Sequence, residues 1–148
     1  MTSNIKKPET NIEFTLDHVG ISISNLDRSI DFYTKIFGFK CERIIERPMG
    51  NGKVALLQKA GFTIEMFQYS NALHLPDDRK IPANDLKTMG VKHFAIRVND
   101  IMGAADFLKK NGVEFISEPA VGVRGLRRFF VKDPDGIPLE LTEGPVHG

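Results

Sequence analysis

The sequence predicts an α+β fold made of two tandem βαβββ modules. Three observations lead there. First, the chain matches itself without a gap at an offset of 75, so that DHVGISISNLDRSIDFYTKIFG falls on KHFAIRVNDIMGAADFLKKNGV and GFTIEMF falls on GIPLELT. Second, each copy opens with residues of alternating polarity, continues with a helical stripe, and returns to alternation, the order of a strand, a helix and further strands. Third, a βαβββ unit covers one sheet face with its helix and leaves the other open, so it needs a partner layer, and the second copy supplies one. A period of 75 is too long for a solenoid repeat and suits two fused halves of one domain.

The elements follow in order. A disordered lead is expected over residues 1–13, the first module over 14–70, a linker over 71–89 and the second module over 90–143. The first strand reads FTLDHVGISIS, with Val19, Ile21 and Ile23 on one face and His18, Gly20 and Ser22 on the other. The helix NLDRSIDFYTKIFG follows, with Asn25 as N-cap, Gly38 as its end, and Leu26, Ile30, Tyr33 and Phe37 as its buried stripe. Strands are expected near FKCERIIE, at KVALLQKA after the turn MGNG, and at FTIEMFQ. In the second module the strand VKHFAIRV sets Phe94, Ile96 and Val98 against His93, Ala95 and Arg97. The helix DIMGAADFLKKNG then ends at Gly112, and strands are expected at VEFIS, LRRFFVK and IPLELT, the last after the turn DPDG. The linker SNALHLPDDRKIPANDLKTMG is long for a compact domain and reads either as a functional lid or as a plain surface connector.

Composition narrows the function classes. The chain has 148 residues, 41% hydrophobic and 26% charged, as in globular domains. A net charge of +1 gives no field that would recruit nucleic acid or an anionic membrane, and no recognition motif for nucleic acid is present. No apolar run approaches the ~20 residues of a membrane span. The start MTSNIKKPETN lacks the apolar core of a signal peptide, and a lone Cys41 precludes an intrachain disulfide, so a reducing cytoplasmic setting is expected. Cys41 reads as a packing residue.

The chemistry lies in a repeated pair. His18 precedes Glu65 by 47 residues, and His93 precedes Glu140 by the same 47. All four fall on the strand faces that the helices leave open. Glu65 shares its face with Thr63 and Phe67, while Ile64 and Met66 point the other way; Glu140 shares its face with Pro138 and Thr142. A carboxylate on a semi-buried face is costly unless it is paired or metal-bound. Two imidazole nitrogens and two carboxylate oxygens suit Zn²⁺, Ni²⁺, Co²⁺, Fe²⁺ or Mn²⁺, and ligand type does not choose among them. Singly, a strand histidine or glutamate is more often a hydrogen-bonded or solvated residue; the same pair at the same register in both copies favours a metal site with His18, Glu65, His93 and Glu140 as ligands. An inherited but empty site, or a cup that binds a ligand without metal, are the alternatives. The four ligands would surround one ion either within the chain or across two copies of it. His74 in the linker and His147 near the end do not share the pattern and read as solvated.

These stretches resemble the vicinal oxygen chelate superfamily, which groups glyoxalases, bleomycin-resistance proteins and extradiol dioxygenases. DHVGISISNLDRSIDFYTKIFGF is similar to the opening module of such proteins, KHFAIRVNDI to the start of the second, and FFVKDPDGIPLELTE to its end, covering roughly residues 14–143. The resemblance implies a cupped eight-stranded mixed sheet and frequent homodimers, some of which build each site from two chains. The ligand order His, Glu, His, Glu is similar to bacterial-type glyoxalase I. It implies a metal-dependent lyase or isomerase that stabilises an enediolate formed from a small vicinal-oxygen substrate, with Glu140 as first choice for the base and Glu65 as its counterpart. The segment DLKTMGVKHFAIRV departs from the stretch expected of glutathione-dependent members, and no glutathione-anchoring set stands out. A metal-dependent epimerase, an extradiol-type dioxygenase and a non-enzymatic antibiotic-binding protein are the alternatives on this scaffold. Around the ligands, Thr63, Phe67, Arg97 and Thr142 are the candidate substrate contacts. Arg97 holds a substrate carboxylate or pairs with a nearby acid. Arg124, Arg127 and Arg128 read as a solvated basic face, with anion anchoring as the sharper alternative.

Overall fold

The computed structural model describes residues 12–47 and 51–146. The expected lead therefore lies outside the described residues apart from its last two, as do His147 and part of the MGNG turn. Module one runs β1 (His18–Ile23), α1 (Leu26–Phe37), β2 (Lys40–Glu46), β3 (Lys53–Lys59) and β4 (Phe62–Gln68). Module two runs β5 (Phe94–Val98), α3 (Ile101–Lys110), β6 (Ala120–Val121), β7 (Arg127–Lys132) and β8 (Pro138–Glu143). The strands form two four-stranded mixed sheets of one topology, β1-β4-β3-β2 and β5-β8-β7-β6, in which the first strand of each module runs parallel to the last.

Local chemistry explains where the helices begin and end. The Asn25 side chain accepts from the Arg28 amide at 2.9 Å and starts α1; Gly38, at φ +70°, ends it. Asp100 caps α3 in the same way, accepting from the Gly103 amide at 3.0 Å.

The buried alternates of both sheets join in one core. Ala55, Leu57, Ile64 and Met66 of the first sheet and Phe129, Val131, Leu139 and Leu141 of the second belong to a single cluster with Tyr33 of α1 and Leu108 of α3. Tyr33 is its pivot: its ring stacks on Phe94 at 6.4 Å between centroids, and its hydroxyl donates to Asp133 at 3.1 Å. Burial raises the Asp133 carboxyl to about 6, although the amides of Ile137 and Asp135 and the Tyr33 hydroxyl favour its ionised form. Asp135, in the same turn, ties the modules again through Ser24 and Arg28. Because the core claims one side of each sheet, the two open faces lie on the opposite sides of their strands from it.

Two features differ from the sequence expectations. VEFIS is not a strand: it makes a single bridge, Phe115 to Val131, and the short outer strand is Ala120–Val121. The Ser117 hydroxyl accepts from the Phe130 amide, while the Ile116 and Ser117 amides share the Phe130 carbonyl, so the side chain displaces the regular ladder. The repeat also slips. Glu65 pairs with Leu56 but Glu140 pairs with Phe130, so the offset is 75 for β4 and β8 and 74 for β3 and β7. The cause is the hairpin: Ala60 and Gly61, both with positive φ, close β3 and β4, whereas β7 and β8 are joined by the longer turn through Gly136.

The linker is more ordered than its composition suggests. It contains a 3₁₀ turn at Asp77–Lys80 and a short helix α2 (Pro82–Asp85). Asp85 is buried and bonded to Arg79 Nε and Lys92 Nζ, both at 3.1 Å. Burial opposes its ionisation, yet these two cations outweigh it and hold its carboxyl below the usual range. Among the described residues no helix is long and apolar enough to cross a membrane.

Candidate metal centre

Each open face carries one histidine–glutamate pair. In module one, β1 lies beside β4 with Gly20 level with Glu65, and a side chain at Gly20 would press on the Phe67 ring. His18, two residues earlier on the same face, brings Nε2 to 3.2 Å from Glu65 Oε2. In module two, Ala95 is level with Glu140, and His93 just ahead of β5 brings Nε2 to 2.8 Å from Glu140 Oε2. The register and the contacting atoms are used twice, with a small residue, Gly20 or Ala95, level with each glutamate.

The two pairs differ in their surroundings. The His18 side chain is 44% exposed, and its Nδ1 meets Asp17 Oδ2 at 2.6 Å. That hydrogen bond raises the imidazole pKa, against the effect of its partial desolvation, and Glu65 adds to the rise. A carboxylate on Nδ1 is the arrangement that fixes a metal-binding histidine and turns its other nitrogen outward. His93 is more enclosed. Its ring meets the Phe130 edge at 5.0 Å, and its Nδ1 is buried with no hydrogen-bond partner among the described residues. Glu140 is 17% exposed, and its second oxygen, Oε1, lies 3.7 Å from Arg128 Nε.

The four side chains do not meet within one chain. Among the described residues no three His, Cys, Asp or Glu side chains come together in a group able to hold an ion. The reason is the shared core: the buried faces of both sheets join in one cluster, so each pair stays on its own open face.

The other candidate residues sort by register. Thr63 and Phe67 lie on the open face of β4 beside Glu65. Thr142 lies two residues beyond Glu140, and across the second sheet Arg97, Thr142 and Arg128 form one row. The sequence grouped Arg128 with its neighbours as a basic patch, but the structure separates them. Arg127 is saturated by Glu143, at 2.8 and 2.6 Å, whereas Arg128 lies on the open face over the Phe130 ring. The alternation of Arg128 with Phe130 and Lys132 was the available signal; the slipped repeat obscured it. A cleft of about 460 Å³ runs along the free edge of β1, walled by Leu73–Pro76 of the linker and by His93 and Pro138.

The chain is similar to known proteins over most of its length. The family model described as the Glyoxalase/Bleomycin resistance protein/Dioxygenase superfamily matches residues 15–141. The chain is 34% identical over 131 residues to "Lactoylglutathione lyase GLX1" of Arabidopsis thaliana, with 87% of this chain covered; it spans only 44% of that plant protein's length. It is 30% identical over 128 residues to the lactoylglutathione lyase of Escherichia coli O157:H7, covering 85% of this chain and 90% of the other. Among solved structures, a glyoxalase family protein from Enterococcus faecalis superimposes with a TM-score of 0.75 at 29% identity, covering 87% of this chain and 97% of that one. The trypanothione-dependent glyoxalase I of Leishmania major gives 0.68 at 26% identity, with 88% and 87% covered. The two-sheet α+β architecture and the matched span agree, and the chain belongs to the Glyoxalase/Bleomycin resistance protein/Dioxygenase superfamily.

Proposed function

We propose that this protein is a divalent-metal-dependent lyase of glyoxalase type, acting on a small substrate with two adjacent oxygens, whose metal site is completed by two copies of the chain. The observation that carries this reading is the repeated half-site: His18–Glu65 and His93–Glu140, with the same atoms in contact, on two open faces that do not meet in one chain. A two-fold dimer that sets the first module of one copy against the second module of the other would unite two such pairs twice. The likeness to lactoylglutathione lyases supports the reaction class.

The donor set fits a Zn²⁺, Ni²⁺, Co²⁺, Fe²⁺ or Mn²⁺ ion, with His18, Glu65, His93 and Glu140 to hold it. When bound, such an ion would polarise a substrate carbonyl and stabilise the negative charge that develops on its oxygens. The protein's own groups would do the rest. Glu140 takes a proton from the carbon bearing sulfur and hydroxyl in a hemithioacetal and returns it to the neighbouring carbonyl carbon, while the hydroxyl proton passes to the former carbonyl oxygen, leaving a thioester of a 2-hydroxy acid. Glu65 faces the opposite side of the substrate. Phe67 and Phe130 exclude water from the two flanks, and Thr63, Thr142 and Arg97 contact the substrate's polar edge.

The test is metal analysis of the purified protein followed by methylglyoxal turnover with a panel of thiols, read as thioester formation. One ion per two half-sites and turnover with at least one thiol are expected. Metal-free protein without turnover would overturn the reading, and oxygen uptake with catechols would assign the scaffold to ring cleavage instead.

A further inference from the structure

The two half-sites are alike in their ligands and unlike in what stands beside them. The slipped repeat makes Val54 and Leu56 of β3 the counterparts of Arg128 and Phe130 of β7, because Leu56 pairs with Glu65 and Phe130 pairs with Glu140. At the Arg128 position the first module therefore has the apolar Val54, and its nearest guanidinium there, Arg47, lies over Phe67 at 5.9 Å.

Arg128 is not held by a structural partner. Its approach to Glu140, 3.7 Å from Nε, is longer than a charge-assisted hydrogen bond, and its plane lies over the Phe130 ring at 5.1 Å. Arg127, one residue away, shows what a committed arginine looks like here, with two bonds to one carboxylate. Space has been left for the Arg128 side chain: a Cβ at Gly122 would collide with its Nε and Cδ, and Gly122 does not have the positive φ that would otherwise explain a glycine. A divalent ion on Glu140 would place two cationic groups around one carboxylate, and an anion beside them would relieve that repulsion.

We propose that Arg128 is the anchor for a carboxylate on the substrate, next to the two oxygens that face the metal. The inference rests on the metal-site reading above and narrows its substrate class to vicinal-oxygen compounds that carry a carboxylate on the side of the second module. The planar fork of arginine matches a carboxylate with two parallel bonds, which a lysine cannot reproduce.

The test compares two chelating probes on the metal-loaded dimer by calorimetry: acetohydroxamate, which offers two adjacent oxygens and no charge beyond them, and malonohydroxamate, which adds a carboxylate. Wild-type protein is expected to bind the carboxylated probe about tenfold to a hundredfold more tightly, the range expected for charge-assisted hydrogen bonds. Arg128→Gln should lose that preference while keeping its metal content and its affinity for acetohydroxamate. Gly122→Ala, which leaves the charge but displaces the side chain, should lose part of it. An unchanged preference in Arg128→Gln overturns the anchor alone. Failure of wild-type protein to take up metal and bind acetohydroxamate overturns the metal-site reading, and the anchor with it. Should Arg128→Gln fail to fold, Gly122→Ala decides: an undiminished preference there overturns the anchor.

Discussion

The Tyr33 hydroxyl in the first module donates to the Asp133 carboxylate in the second at 3.1 Å, in the middle of the shared core. This bond joins residues a hundred positions apart and fixes how the modules sit on each other. Its acceptor is an acid raised to about 6 by burial, so its stability contribution depends on pH. The folded value lies above the unfolded one, so the native state binds the proton more tightly. The contribution is complete below about pH 4 and lost as pH rises through about 6. Asp133→Asn keeps an oxygen for the Asp135 and Ile137 amides and removes the titration. Between pH 4 and 7 the wild type should therefore lose stability relative to Asp133→Asn by about 2–3 kcal/mol, the order that follows from a carboxyl raised to about 6. Urea unfolding of both proteins across this range measures it; parallel curves would show that Asp133 does not titrate between the two states.

Asp17 is expected to prepare His18 for metal. It bonds Nδ1 at 2.6 Å, which leaves Nε2, beside Glu65, as the nitrogen that would take an ion. Position 92, the counterpart, is Lys92, which turns away onto Asp85, so His93 has no such partner. Asp17→Ala should weaken metal binding about tenfold, the low end of the usual second-layer effect because the Asp17 side chain is 90% exposed. Competition with a chromogenic chelator reads this directly, and an unchanged affinity would reduce the Asp17 contact to a surface ion pair.

Glu140 and Glu65 are expected to differ in catalysis although they match in geometry. Glu140 is the more enclosed, at 17% against 29% side-chain exposure, and lies on the Arg128 side where the proposed substrate anion sits. Glu140→Gln should lower kcat by about 10²–10⁴, the range for loss of a general base, and Glu65→Gln by less. Metal content must be measured on the same samples so that a lost ligand is distinguished from a lost base. Full activity in metal-loaded Glu140→Gln would remove it from the proton transfer.

The residues that made the fold legible were those under period-two constraint. Ile64 and Met66 against Glu65, and Leu139 and Leu141 against Glu140, fall on the buried and open faces that alternation assigns. Such information is local, and a strand cannot change it without turning its apolar set to water. What stayed hidden is tertiary. Nothing in DHVGISIS or VKHFAIRV says whether the open faces of one chain look at each other; that depends on Tyr33, Phe94 and Asp133 meeting across the modules. The place of Arg128 was obscured by one residue in a hairpin. The order of the linker depends on Asp85 finding Arg79 and Lys92.

That hidden relationship yields a test that does not depend on knowing the substrate in detail. Consider one variant with the first half-site removed, His18→Ala with Glu65→Ala, and another with the second removed, His93→Ala with Glu140→Ala. Each should be inactive alone. If sites form across two copies, a mixed dimer pairs the two damaged halves in one site and the two intact halves in the other. Random reassociation of equal amounts should therefore restore about a quarter of wild-type activity, since about half the dimers are mixed and each has one good site. If each chain closed its own site, no mixture would regain any. Activity after unfolding and co-refolding the two variants, with metal bound per dimer measured in parallel, separates these outcomes. Mixing without subunit exchange is the control: it should restore nothing, because the repair lies in the contact between chains and not in either chain.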